Sequence, residues 1–224
     1  MKYIVIGRAL PERANIQFEE ITWRSSPQIA VSVKCEASQV TVSVDDARVD
    51  GEISAFITAE HIASTIVSCL GFALATSYSV ELVQLVGDSG TQVFGKRIEG
   101  LMFDEPGGVF ERATILSRLD LHFRFAVSDY TAALSRPIDC GFLCNRSIES
   151  IKSSFGSAQG RTPWEAFHQA LGTNQAEILE KVKSFADPIR HGNWDELPQT
   201  TAAQRFAMLS LTRDILERYL NLKS

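Results

Sequence analysis

The chain has 224 residues, of which 45% are hydrophobic and 22% charged, so it can bury a core and is not compositionally disordered. Its net charge of −5 is uneven. Residues 1–111 carry 8 basic and 15 acidic side chains, a charge of −7, whereas residues 112–224 carry 14 and 12, a charge of +2. Any polyanion should therefore prefer the second half. A charge of +2 is far from the dense basic stripe of a dedicated nucleic-acid binder, so tight binding of long RNA or DNA is disfavoured, but not excluded.

The first residues and the cysteines predict a cytoplasmic protein. Only five residues, 3–7, separate Lys2 from Arg8, which is too short for a secretory signal. The longest apolar run, 62–75, is interrupted by Ser and Thr, so no membrane span is predicted. We expect the four cysteines to be free, mostly buried thiols, because zinc at Cys140 and Cys144 would need two further ligands at recognisable spacing.

The first half of the chain is rich in β-forming residues. Valines alternate with polar residues across 31–35 and 40–44, which predicts a hairpin with one buried face. A helix capped by Thr58 should cover the sheet, and two further strands follow it. We therefore predict an antiparallel, β-rich α+β domain over residues 1–100, followed by a linker.

The second half changes to helical periodicity. Its first predicted helix has apolar residues at three- and four-residue spacing over 116–134. Capping residues predict later helices that begin near Thr162, Asn174 and Thr201, and Pro188 should break or kink the second of these. We predict an all-α bundle of four or five helices over residues 111–224.

One polar corner stands out at the predicted helix break. Asp187, Arg190 and His191 lie within five residues, and a histidine beside an arginine and a carboxylate is typical of acid–base or anion-binding sites. The alternative is a helix end, in which Arg190 and His191 bind the last carbonyl groups and Gly192 adopts the left-handed cap conformation. The sequence leaves both interpretations open.

A second pair of charged residues lies in an earlier helix. Arg146 and Glu149 are three residues apart and therefore share one helix face. They would complete a charged pocket if that face packs against the corner at His191, or they would form an ordinary surface ion pair.

Residues 112–222 resemble the HEPN superfamily, helical bundles found in many prokaryotic toxins, RNA-processing enzymes and defence proteins. The resemblance rests on residues 145–150 (Asn-Arg-Ser-Ile-Glu-Ser), on the pair His191-Gly192 and on a long closing helix. It implies a homodimer and metal-independent RNA cleavage, with an arginine stabilising the phosphate and a histidine transferring protons. Here Ala186 occupies the arginine position, with Lys183 just outside the expected spacing and Arg190 adjacent to His191.

These observations lead to two functional hypotheses. The first is a HEPN-like stress or defence protein that binds RNA or a nucleotide phosphate, with weak or no ribonuclease activity. Its catalytic candidates are Asp187, Arg190 and His191, and its binding candidates are Arg146, Glu149 and Lys183. The second is a non-catalytic dimerisation module whose acidic first half binds a protein partner. Since the sequence has no phosphate loop, dinucleotide fingerprint or metal motif, we predict no cofactor and no metal.

Overall fold

The computed structural model of the chain describes residues 2–26, 29–46, 51–93, 98, 100–156, 162–193 and 200–223. It divides into two compact units, residues 1–96 and residues 97–224. The first unit is a sheet with one long helix and the second is all helical. The predicted α+β class is confirmed.

The first unit is built on six antiparallel strands in the order β2-β3-β4-β1-β5-β6. The valines of the predicted hairpin lie in β3 and β4 and are fully buried, because each points to the same face of the sheet. The strands are β1 (Lys2–Leu10), β2 (Phe18–Ser26), β3 (Ile29–Glu36), β4 (Gln39–Asp46), β5 (Ser79–Gly87) and β6 (Gly90–Val93).

Helix α1 (Glu52–Ala73) covers that apolar face. It begins at Glu52, six residues before Thr58, which was the predicted cap. Thr58 lies inside the helix, and its hydroxyl donates to the Ser54 carbonyl. By length and composition α1 could cross a membrane, with a mean hydropathy of 1.5. Its buried side chains, such as Ala59 and Ile62, pack on the sheet, and 33% of its most apolar stretch is buried.

The second unit is a bundle of helices around one apolar core. The helix predicted across 116–134 is two helices, because the chain turns at Asp120, whose side chain accepts from the Phe123 N–H and from the Tyr219 hydroxyl. The helices are α2 (Pro106–Leu119), α3 (Leu121–Ser135), α4 (Cys140–Ser153), α5 (Pro163–Leu171), α6 (Gln175–Ile178), α7 (Ser184–Arg190) and α8 (Ala202–Lys223).

A π-helical turn, Leu179–Lys183, lies between α6 and α7. The three segments follow one another directly, so the chain is helical from Gln175 to Arg190. The sequence predicts a break or a kink at Pro188. The helix does not break there, since α7 continues through Pro188 to Arg190. Proline removes one N–H from the helical ladder, and the irregular hydrogen bonding lies one turn earlier, in the π turn.

Several local predictions are confirmed in this unit. Thr162 and Glu165 form the predicted capping box at the start of α5. In the same helix, Trp164 and His168 are four residues apart and stack with ring centroids 5.5 Å apart, a contact not included in those predictions. The four cysteines are free thiols, and all but Cys69 are buried.

Candidate functional site

Three of the predicted site residues lie at the C-terminal end of α7. Asp187 and Arg190 are three residues apart and share one helix face, and His191 follows Arg190 as the residue that ends the helix. Lys183 lies before α7 begins, in the π turn. Arg190 and His191 are exposed, and Lys183 and Asp187 are half-buried.

The end of α7 is capped by backbone groups. The N–H groups of His191, Gly192 and Asn193 donate to the carbonyls of Asp187, Ile189 and Pro188 at 3.1, 3.2 and 2.9 Å. Gly192 adopts the left-handed conformation with φ 70°, as the helix-end interpretation predicts. The side chains of Arg190 and His191 are not needed for these bonds.

Arg190 faces Glu149 of α4 across the surface of the bundle. The guanidinium nitrogen lies 3.7 Å from the carboxylate oxygen, and the two side chains are 50% and 34% exposed. This separation is longer than a hydrogen bond, so the pairing is weak and screened by water. Most of the donor capacity of Arg190 remains available to an anion.

Arg146 is held differently, by a residue that the sequence did not single out. Its guanidinium binds both carboxylate oxygens of Asp129 in α3, with the Nε-to-oxygen distance at 2.7 Å. Asp129 is only 7% exposed. The hydrogen bonds that Arg146 donates to Asp129 raise the pKa of Arg146. The predicted surface pair between Arg146 and Glu149 does not form, because each has a partner on another helix.

Asp129 could have been noticed in the sequence. It lies three residues after Ala126, on the stripe that Phe123, Ala126 and Ala133 bury. A carboxylate on a buried stripe needs a cationic or hydrogen-bonding partner. The missing information was which cation on a distant helix would supply it.

The outer surfaces of α3 and α4 form a shallow groove of about 570 Å³ beside this pair. Its lining includes His122 and Phe125 from α3, and Arg146, Glu149 and Lys152 from α4. Ser150 holds the helices together, since its hydroxyl donates to the His122 carbonyl at 2.9 Å. The groove combines an exposed aromatic ring with two cations and can accept a planar or anionic group.

Ala186, the position at which the resemblance to HEPN proteins implies an arginine, is 0% exposed. Nearby, α4 and α7 approach closely: a Cβ added to Gly141 would lie 2.8 Å from the Cβ of Phe185. A long cationic side chain at 186 would have to enter this packed interface. Any arginine-like role therefore falls to Arg190 or to Lys183.

Family models match both parts of the chain. Residues 3–93 match the model described as the N-terminal domain of a domain of unknown function, DUF8168, and residues 110–224 match its C-terminal domain. The chain belongs to the DUF8168 family. No curated protein and no solved structure matches it.

The DUF8168 descriptions assign no activity, so function has to be argued from the site itself. All the candidate residues fall in the C-terminal DUF8168 domain. They offer two exposed groups that bind phosphate well, Arg190 and His191, beside the carboxylates Asp187 and Glu149. This arrangement can bind an anion and can exchange a proton with it.

Proposed function

We propose that this protein is a cytoplasmic, HEPN-like protein of stress or defence type that binds RNA or a nucleotide phosphate through its helical unit. Arg190 and His191 contact the phosphate, and Lys183 adds a nearby positive charge. Asp187 and Glu149 are the neighbouring carboxylates, and Arg146 forms part of the groove wall. We also propose that the protein forms a homodimer through its helical bundle.

One observation carries the proposal: Arg190 and His191 are adjacent, exposed and not used in holding the helix end. Ordering an exposed arginine costs side-chain entropy. An arginine therefore contributes most to binding when one ligand accepts two hydrogen bonds from its guanidinium group. Phosphate oxygens match the guanidinium geometry and can accept a hydrogen bond from the imidazole N–H of His191.

Cleavage is the weaker part of the proposal. His191 can take or give a proton, but Ala186 offers no charge to stabilise a phosphorane-like transition state. Arg190 is the exposed cation next to His191 and is the residue that could supply it. We therefore expect weak or absent ribonuclease activity alongside measurable binding.

Fluorescence polarisation with a labelled single-stranded RNA tests the binding site. The double variant Arg190→Ala/His191→Ala should weaken binding at least about tenfold, since it removes two charged contacts. The matched control Arg118→Ala/His61→Ala removes an exposed arginine and an exposed histidine elsewhere and should bind as the wild type does. Equal affinity of the wild type and the site variant would refute the assignment.

Cleavage is tested separately with total bacterial RNA and tRNA in the presence of EDTA, which removes metal-dependent contaminants. Products formed by the wild type and absent with His191→Ala would establish a metal-independent nuclease. Binding without cleavage would limit the function to recognition of RNA or nucleotide phosphate.

A second candidate function, a non-catalytic interaction module, is favoured by apolar side chains exposed on the bundle. Large apolar residues lie on the outer surfaces of α2 and α3, where a partner could cover them: Phe110, Ile115, Leu119, Leu121 and Phe125. In this case the acidic first half would recognise a protein partner. Expression that slows host growth, with the effect lost in His191→Ala, would contradict this alternative.

A further inference from the structure

The outer strand β2 presents an apolar pair on the side of the sheet that α1 covers elsewhere. Ile21 and Trp23 pair with Val33 and Val31 of β3, which are fully buried, yet Ile21 and Trp23 are each 40% exposed. β2 is one edge of the sheet, so one side of its backbone has no neighbouring strand in the described residues. An edge of this kind can accept another strand.

Charges lie on either side of this pair. Glu20 and Arg24 are exposed and flank the Ile21–Trp23 segment. Thr22 and Arg24 alternate with that segment on the opposite face, and Glu20 lies at the register shift that precedes Ile21. Within the described part of the chain, neither charge has an ion-pair partner. The segment therefore carries opposite charges at its two ends and apolar side chains between them.

We propose that β2 pairs antiparallel with β2 of a second copy of this chain, with Thr22 opposite Thr22 across a twofold axis. This register places each residue opposite the one that lies equally far from Thr22 on the other side. Ile21 then lies opposite Trp23 of the second copy, and Glu20 opposite its Arg24. Each pair occurs twice, because the contact is symmetric. Cross-strand aromatic and opposite-charge pairs are those that stabilise antiparallel strands.

Neighbouring registers lose one or both of these matches. A shift by two residues places Glu20 opposite Thr22 or Ser26, so the charges are unpaired. A shift by one residue places Trp23 opposite Glu20 or Thr22, and each apolar side chain then faces a polar one. One such shift pairs Arg24 with Glu19, which makes Glu19 a direct test of the register.

The contact should be short and concentration-dependent. The pairing of β2 with β3 shifts register before Ile21 and after Arg24, which limits the regular segment to four residues. Such irregularities and the charges also keep the edge from pairing with unrelated strands. The inference is independent of the function proposed for the helical unit.

Charge exchange tests the pairing by sedimentation over a concentration series. Glu20→Lys and Arg24→Glu should each lose the association step that β2 provides in the wild type, and keep at most the dimer that the bundle forms. An equimolar mixture of the two should regain it, because the lysine introduced in one variant then lies opposite the glutamate introduced in the other. The matched control Glu19→Lys should associate as the wild type does. A wild type that shows no association, single variants that associate to the same extent as the wild type, or a mixture that does not regain the lost step would overturn the proposal.

Cysteine cross-linking reports this contact even if the bundle also forms dimers. In a Cys69→Ser background, which removes the exposed native thiol, Thr22→Cys should form a disulfide-linked dimer on mild oxidation, since the two residues lie directly opposite each other. Lys34→Cys, exposed on the adjacent strand, is the control and should not cross-link. Failure of Thr22→Cys, or equal cross-linking of both variants, would contradict the register.

Discussion

The two arginines of the candidate site have different physical roles. Arg146 neutralises Asp129, a carboxylate that is 7% exposed, whereas Arg190 faces Glu149 at 3.7 Å in contact with water. A buried charge that loses its partner is costly, and an exposed pair contributes little. Arg146 therefore stabilises the α3–α4 contact, and Arg190 is available for a ligand.

This contrast predicts the stability of two variants. Arg146→Ala should lower the free energy of unfolding by about 2 kcal/mol, because it leaves Asp129 buried and unpaired. Arg190→Ala should change it by less than about 0.5 kcal/mol. Urea unfolding measures both. Equal losses in the two variants would show that Arg190 is also structural, and its role in binding would have to be reconsidered.

His168 makes the stability of the helical unit depend on pH. Burial lowers its pKa, and a hydrogen bond with Thr173 partly opposes this effect. The folded protein therefore binds this proton less readily than the unfolded chain does. The stability contributed by neutral His168 is present above the unfolded pKa of about 6.5 and is lost as the pH falls through the folded value.

We expect the free energy of unfolding to decrease below about pH 6.5, and His168→Gln to remove that part of the decrease. Thermal unfolding across pH 5–8 measures it, and histidine NMR gives the pKa directly. A pKa of His168 above that of an unfolded histidine would contradict the sign of this prediction.

At the scale of the elements, the junction of α2 and α3 depends on Asp120. Its carboxylate caps α3 by accepting the Phe123 N–H at 3.1 Å, and it also accepts the Tyr219 hydroxyl of α8. Burial is the main cause that raises the pKa of Tyr219 to about 12, and the hydrogen bond with Asp120 is the second. The Tyr219 hydroxyl therefore remains a donor at ordinary pH. One side chain thus connects three helices.

We predict that Asp120→Ala lowers the free energy of unfolding by about 2 kcal/mol, since it removes a helix cap and leaves the Tyr219 hydroxyl without its acceptor. Asp120→Asn keeps an oxygen that can accept from the Phe123 N–H or the Tyr219 hydroxyl, so it should lower the free energy of unfolding by less. Chemical denaturation compares them. An Asp120→Ala variant as stable as the wild type would show that neither contact matters.

The elements themselves could be predicted where the periodicity was unambiguous. Alternating valines indicated β3 and β4, and the Thr162–Glu165 capping box indicated α5. The turn at Asp120 was missed because Leu116, Leu119 and Phe123 keep helical spacing across it. The path of α7 through Pro188 was missed because a single proline does not show whether a π turn will precede it.

Less of the site could be predicted. The grouping of Asp187, Arg190 and His191 at the end of α7 follows from their spacing in the sequence. The partners across the bundle, Asp129 for Arg146 and Glu149 for Arg190, depend on how α3, α4 and α7 pack. Packing between distant segments is not encoded in local periodicity, so the sequence could not decide between a charged pocket and a surface ion pair of Arg146 with Glu149. The ion pair does not form, and Glu149 faces Arg190 instead.

For the whole molecule, the net charge of −5 limits how RNA can be bound. We expect about three phosphate contacts, so the logarithm of the RNA affinity should fall with the logarithm of salt concentration with a slope of about −2. Polarisation titrations at several salt concentrations give this slope. A slope several times steeper would indicate a larger basic surface than the one formed by Lys183, Arg190 and His191.

The most direct measurement is histidine NMR of the labelled full-length protein during titration with a short single-stranded RNA. The chain has four histidines, so each ring gives a separate signal, and His191→Ala assigns the one that matters. The proposed site predicts a saturable shift of the His191 signal, with the signals of His61 and His168 unchanged. RNA that binds without moving His191, or that leaves all four signals in place, would contradict phosphate binding at the end of α7.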